Sequence, residues 1–526
     1  MSSSKLFQDK YFLSALMLII LFAIYSFILA YNSQEGTPSS KSGNGFFPFL
    51  TDKPLTEDGY YMLTVSWNVA QGKGFAYNYN IKTSGVQPLA TLVYSVPAFI
   101  VQKFGGDKYD FARAILILSS ILQIIFAFCI YLLACKISDH PVKGLYFLFS
   151  VCVVLFNFKV ILISSNGLET GLYLILLSIF FLYWLKFKEV QSGFIHLLGL
   201  GLLSGLLLLC RLDSAVIMIT FYVLLLHSGR IKASQLILII FIALIVYSPW
   251  QIYIWDVTGN ILQSSARSQT SLLPFFDFQN KVGQYFTSVL QHLTPFLYTG
   301  NVLKWLIIPL GILYLALFYT VYKRYNLKIV SASSGKLFKM VVFSFLVLMI
   351  IYFFFSSASF FYIRYLAVIM ILSFPIFIVL FVQIYIKFRI VRTTSVIIII
   401  IIFIIQALLY FHSGKSISKF SARAGYVKNN FSEDVRVAAF QTGVAGYLCE
   451  NIINLDGKMD NDALISIENG NIESYIDKMN VEVLVEWKDF ISNLLSQEYL
   501  EKYWNLYDDD IGDGRTVCYI RKFYDR

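Results

Sequence analysis

Charge is what this sequence has least of: Asp, Glu, Lys and Arg make up 14% of its 526 residues, too few to clothe a soluble protein of that size. Histidine is scarcer still, with five in the whole chain. His140, His196, His227 and His292 show no metal-ligand pairing, which leaves no histidine-built metal centre and marks them as interfacial or solvated residues. The six cysteines lack zinc-type spacing. Cys129, Cys135 and Cys152 lie in or beside apolar runs and read as small hydrophobes. Cys449 and Cys518 share a polar tail, where a disulfide between them stays open. No internal repeat is visible.

What the sequence has in quantity is apolar surface, at 57% hydrophobic and 17% aromatic residues. That composition belongs in a bilayer. The formal net charge of +10 does not point to nucleic acid, because the basic residues fall in short clusters between apolar runs, the pattern of loops on the positive side of a membrane. No nucleic-acid partner is expected. The aromatic wealth reads as lipid-facing packing and interface belts.

Apolar runs predict helices spanning the membrane near 11–31, 111–135, 143–163, 169–186, 194–210, 212–228, 234–255, 302–322, 340–357, 365–386 and 394–411, eleven in all. The first lacks a small-x-small cleavage site and reads as an uncleaved anchor. A further stretch, Pro88 to Phe104, is short for a span and is interrupted by Pro97. Charge decides its place. With 88–104 lying at the interface, Lys136, Lys143, Lys186, Lys188, Arg230, Lys232, the cluster 323–339 and Lys387, Arg389 and Arg392 all fall on one side, as cytoplasmic loops require. A cytoplasmic amino terminus follows, and with it a long outer loop over 32–110 and an outer tail over 412–526.

The tail departs from the rest of the chain in composition. Acidic residues are frequent, and strand-like runs at Arg436–Phe440, Asn451–Leu455, Val481–Trp487 and Thr516–Arg521 alternate with helical patterns. The expected architecture is a membrane module over 1–411 and a small extracytoplasmic α/β domain over 412–526.

The residues with chemistry concentrate in the outer loop, which reads T-E-D-G-Y-Y-M-L-T-V-S-W-N-V-A-Q-G-K-G from Thr56. Glu57 and Asp58 form a carboxylate pair that can accept a proton or bind a cation. An acidic helix start on a solvated loop remains the alternative on these residues alone. Tyr60, Tyr61 and Trp67 lie beside the pair, and Gln87 on the approach to the interfacial helix. Basic residues near the outer ends of spans are Arg113, Lys159, Arg211, Arg267 and Arg364, each of which can meet a phosphate or simply snorkel to headgroups. Lys159 lies about one turn inside the apolar boundary, where an ionised group needs a partner. Glu169 is the candidate, unless it caps a helix start.

Taken together, these motifs resemble the GT-C glycosyltransferases, integral membrane enzymes that use polyprenyl-phosphate sugars, and most closely the mycobacterial arabinofuranosyltransferase-like members. The resemblance rests on the acidic pair, on Asn68, Ala70, Gly72 and Gly74, and on Gly85, Pro88 and Leu89. Further along it rests on Ser165 to Thr170, on Arg211, Leu212 and Asp213, on Arg364 and Tyr365, and on Thr442 to Tyr447 with Asn454 to Gly457. Leu212 stands where the family pattern has proline, and Glu57-Asp58 where it commonly has Asp-Asp or Asp-Glu. The resemblance implies a polytopic α-helical fold of GT-C type in a bacterial inner (plasma) membrane. It also implies an inverting transfer to a glycan, lipid-linked or protein acceptor, with Asp58 favoured over Glu57 as base.

By the same resemblance Arg113, Lys159, Arg211, Arg267 and Arg364 would serve the donor phosphate, and Tyr60, Tyr61, Gln87 and Glu169 the substrate. A divalent cation on Glu57 and Asp58 is an open expectation. The competing classes are a transporter, disfavoured by the lack of an inverted repeat, and a non-catalytic scaffold for envelope assembly.

Overall fold

A computed structural model describes residues 10–37, 47–138, 142–186, 193–271, 278–295, 304–324, 335–355, 361–388, 401 and 419–522. The chain is a polytopic helical protein carrying a small sheet domain at its carboxy-terminal end.

Helices occupy ten of the eleven expected spans, and the run 394–411 lies outside the described residues except for residue 401. Lys10–Asn32, Lys108–Ile137, Ala233–Thr258, Ile307–Arg324 and Tyr362–Lys387 are long and apolar enough to cross a bilayer. Thr170–Leu185, Phe194–Cys210, Ser214–His227 and Phe338–Phe354 are apolar but shorter. The expected span 143–163 is broken: Lys143–Leu155 and Phe158–Ser164 meet at 63°. Asn157 accounts for the break, since its side chain accepts a hydrogen bond from Lys159 N and so starts a new helix. Pro97, expected as an interruption, sits inside a continuous helix over Pro88–Lys103. Ala90, Tyr94 and Ala98 are buried along one face of that helix, and their packing holds it through the proline.

The tail folds as a five-stranded sheet in the order β2-β1-β3-β5-β4, with β1 Val437–Ala439, β2 Ile452–Asn454, β3 Val483–Trp487, β4 Trp504–Asp508 and β5 Thr516–Arg521. Strands β1, β2 and β3 run parallel, and β5 and β4 are added antiparallel. Four of these strands follow the sequence runs. The fifth, β4, carries no such signal because it is an edge strand whose residues after Trp504 are mostly exposed.

Side chains alternate across the sheet, as the two-residue period of a strand requires. Ala438, Leu484 and Val517 pack with Ile472 and Ile476 from the tail's own helices. Val437, Val483, Val485 and Cys518 face the other way and join Leu55, Tyr61, Leu63, Val65 and Tyr77 of the long first loop. One hydrophobic core is therefore shared across the boundary expected at 411/412. This burial on both faces is what a parallel sheet needs.

One further expectation changes, and one open question is answered. His292, read as interfacial or solvated, is fully buried, with Nε2 bonded to the carbonyl of Ile363. Cys449 and Cys518 are buried free thiols. His140 lies outside the described residues.

Candidate active site

Thr56 begins the site. Its hydroxyl accepts from Gly59 N at 3.4 Å and donates to the Asn166 carbonyl at 3.0 Å, capping the helix Glu57–Ala70 and tying it to the turn at 165–169. Gly59 is required at this junction, because a Cβ there would collide with the Asn166 carbonyl. The cap places Glu57 and Asp58 in the first helical turn, where carboxylates are favoured.

The two acids then diverge. Glu57 accepts Gly443 N at 2.6 Å and Val444 N at 2.9 Å, both at the start of the tail helix Gly443–Leu448. Gly443 has no room for a side chain because the Glu57 backbone lies against it. Loss of hydration beneath the tail raises the Glu57 carboxyl to about 7, and the two amides and Arg423 only partly oppose that shift.

Asp58 instead faces Lys458, whose Nζ lies 3.6 Å from Asp58 Oδ1 and 3.4 Å from Asp456 Oδ2. Asp456 is buried, and burial raises its carboxyl despite the neighbouring ammonium. Burial works against the Lys458 charge, but Asp456, Asp58 and Glu57 together outweigh it and raise its affinity for the proton. The Tyr61 hydroxyl lies 3.4 Å from Asp456 Oδ2.

These groups open onto a cavity of about 450 Å³. Its polar lining includes Glu57, Asp58, Asn166, Gln441, Asp456, Lys458 and Arg364, and its apolar walls include Leu162, Ile163, Phe361, Phe420 and Phe490. A smaller cavity of about 60 Å³ shares Asp58, Arg364 and Lys458 and adds Tyr61 and Gln87. Arg364 stacks over Phe361 and Tyr365 at 4.9 and 5.3 Å, with its Nε buried and without a hydrogen-bond partner among the described residues. Its backbone is steadied by the His292 bond to the preceding Ile363 carbonyl.

The structure thus gathers Glu57, Asp58, Tyr61, Gln87 and Arg364 around two cavities that share Asp58, Arg364 and Lys458. The other candidates lie elsewhere. Arg113 pairs with Glu35 at 2.7 Å and Asp110 at 3.2 Å. Arg267 pairs with Glu468 on a tail helix. Arg211 is buried between Asp213 at 2.5 Å and Glu169 at 3.7 Å, with Tyr173 and Tyr365 against its guanidinium. Lys159 donates to the Thr294 carbonyl at 3.1 Å, so Glu169 serves Arg211 and not Lys159. Tyr60 is buried with its hydroxyl on the Leu50 carbonyl, and Trp67 packs against Phe111.

Asp456 and Lys458 went unassigned in the sequence. The tail motif ending at Gly457 passes through Asp456, but nothing local says that this turn reaches back to the acidic pair. A cation on Glu57 and Asp58 finds a poor donor set here: both Glu57 oxygens are taken by backbone amides, and Asp58 faces an ammonium. Among the described residues, no three His, Cys, Asp or Glu side chains cluster to hold a metal ion.

Neither a protein-family profile nor a curated protein sequence matches this chain. Solved structures do. The ArnT structure from Cupriavidus metallidurans bound to undecaprenyl phosphate aligns over 96% of this chain and 97% of its own, with a TM-score of 0.54 at 11% identity. The apo ArnT structure gives 0.55 at 9% identity over the same shares. The fold is GT-C. The Archaeoglobus fulgidus oligosaccharyltransferase solved with Zn and sulfate aligns over 96% of this chain and 73% of its own, with a TM-score of 0.51 at 13% identity. In this chain the cavity lies where the first loop, the turn at 165–169, the helix start at Tyr362 and the sheet domain converge.

Proposed function

We propose that this protein is an integral membrane glycosyltransferase that moves a sugar from a polyprenyl-phosphate donor to an acceptor hydroxyl on the outer face of the membrane. The observation that carries the reading is one cavity in which the Asp58 carboxylate and the Arg364 guanidinium line a common, largely apolar space. A lipid phosphate donor fits such a place: the prenyl chain needs apolar walls and the phosphate needs a cation. The similar fold of ArnT, solved with undecaprenyl phosphate bound, supports that donor class.

In this reading the acceptor oxygen forms a bond to the anomeric carbon as the bond from that carbon to the phosphate oxygen breaks. Asp58 takes the hydroxyl proton, and Arg364 receives the charge of the departing phosphate. Configuration inverts in a single displacement. Glu57 holds the tail in place through Gly443 and Val444 and leaves Asp58 to act. Residues 1–411 form the membrane module, and the tail from 412 stands on the outer surface, where it walls the acceptor side through Gln441, Asp456 and Phe490. The motif resemblance puts a pentofuranosyl donor first among the sugars to offer.

The test is transfer of label from polyprenyl-phosphate sugars by membranes containing the wild-type protein and Asp58→Asn. Transfer by the wild type and none by folded Asp58→Asn supports the reading. Uptake of sugar into sealed vesicles without glycosidic bond formation would overturn it in favour of a transporter.

A further inference from the structure

The acidic pair invites a divalent cation, yet the group lying against Asp58 belongs to the protein itself. Lys458 reaches it from a tight turn. Its backbone N donates to Asp456 Oδ1 at 2.8 Å, and Gly457 between them has a φ of +73°. The turn sends the Lys458 side chain back over the same carboxylate, so Nζ lies between Asp456 and Asp58. The turn is also pinned from outside. The Lys458 carbonyl accepts from Ser264 Oγ at 2.8 Å and lies so close to Gly85 that any side chain there would strike it. The ring of Tyr61 lies 5.6 Å from Nζ. Lys458 also lines both cavities.

We infer that Lys458 does here what a bound divalent cation would do, bridging Asp456 and Asp58 and keeping Asp58 aimed into the cavity, so that the site works without a metal ion. This rests on the transferase reading of the same cavity. One oriented ammonium bridges the two carboxylates, and a cation would have to displace an ammonium fixed by its own backbone. Lys458 is in this sense a positioning residue.

The inference is tested with the full-length protein in detergent or native membranes. Wild-type transfer should be unchanged by a chelator. Lys458→Ala should lose on the order of 100-fold in transfer rate and should regain activity with added Mg²⁺ or Mn²⁺, because two unpaired carboxylates then face one space. Lys458→Arg should stay metal-independent. Chelator-sensitive wild-type transfer, or a Lys458→Ala protein that does not respond to metal, would overturn the inference.

Terbium luminescence reads the same contrast without turnover. Lys458→Ala should bind the ion, while the wild type and the double variant Lys458→Ala/Asp456→Asn should not. Equal terbium binding by wild type and Lys458→Ala overturns the inference even where no transfer is found, and absence of transfer by the wild type counts against the transferase reading alone.

Discussion

Glu57 and Gly443, 386 residues apart in sequence, are joined by a 2.6 Å hydrogen bond from the Gly443 amide to the Glu57 carboxylate. The bond turns one member of the acidic pair into a clamp between the first loop and the tail, and leaves Asp58 as the member paired with Lys458 at the cavity.

The two acids should therefore fail differently. Asp58→Asn is expected to keep its fold and lose transfer by about 10²-fold or more, the scale of a lost general base. Glu57→Gln replaces one acceptor oxygen by an amide donor facing the tail backbone, and should cost about 1–3 kcal/mol of stability. Thermal unfolding and limited proteolysis of the tail, measured beside transfer, separate the two effects.

The clamp also predicts a pH dependence. Glu57 is raised from 4.5 to about 7 in the folded protein, so between those values the folded state holds a proton that the unfolded state has released. Its contribution to stability is then greatest near and below pH 4.5, falls as pH rises toward 7, and is constant above that. Unfolding temperatures across this window should fall for the wild type relative to Glu57→Gln, which cannot titrate. Parallel curves for the two proteins would contradict the burial of this carboxyl.

Arg364 and Arg211 make a second contrast. Arg364→Ala should leave the protein folded, raise the donor KM and lower kcat, with Arg364→Lys intermediate because a point charge lacks the guanidinium fork. Arg211→Ala strands Asp213 and the buried Glu169 without their cation. It should cost about 3–5 kcal/mol of stability, seen as lower yield and lower Tm.

At Gly59 the prediction is steric. Gly59→Ala pushes a methyl group into the Asn166 carbonyl that also receives the Thr56 bonds. A cost of about 1–3 kcal/mol is expected, together with loss of transfer, since the displaced turn carries both acids.

Reporter fusions check the orientation that the basic clusters imply. A carboxy-terminal reporter that works only in the cytoplasm should be inactive, and one that works only outside should be active.

Much of the scaffold was legible because its causes are local. Apolar runs about 20 residues long announce helices, and short strand-like runs announced β1, β2, β3 and β5. The break at Asn157 escaped because an uninterrupted apolar run hides a side-chain cap. Strand β4 escaped because an exposed edge strand needs no buried alternation. In the same way the loop motif around Glu57 and Asp58 marked two of the side chains that line the cavity.

By itself, then, the sequence determined a membrane-embedded helical chain with an acidic loop and an α/β tail, since hydrophobic periodicity and charge act over a few residues. Which acid clamps the tail, which arginine stays free of carboxylate partners among the described residues, and which lysine meets Asp58 were decided only by the tertiary structure. Each depends on a contact between segments hundreds of residues apart, such as Glu57 with Gly443 or Asp58 with Lys458. Such contacts exist only once the sheet has buried its second face against the first loop.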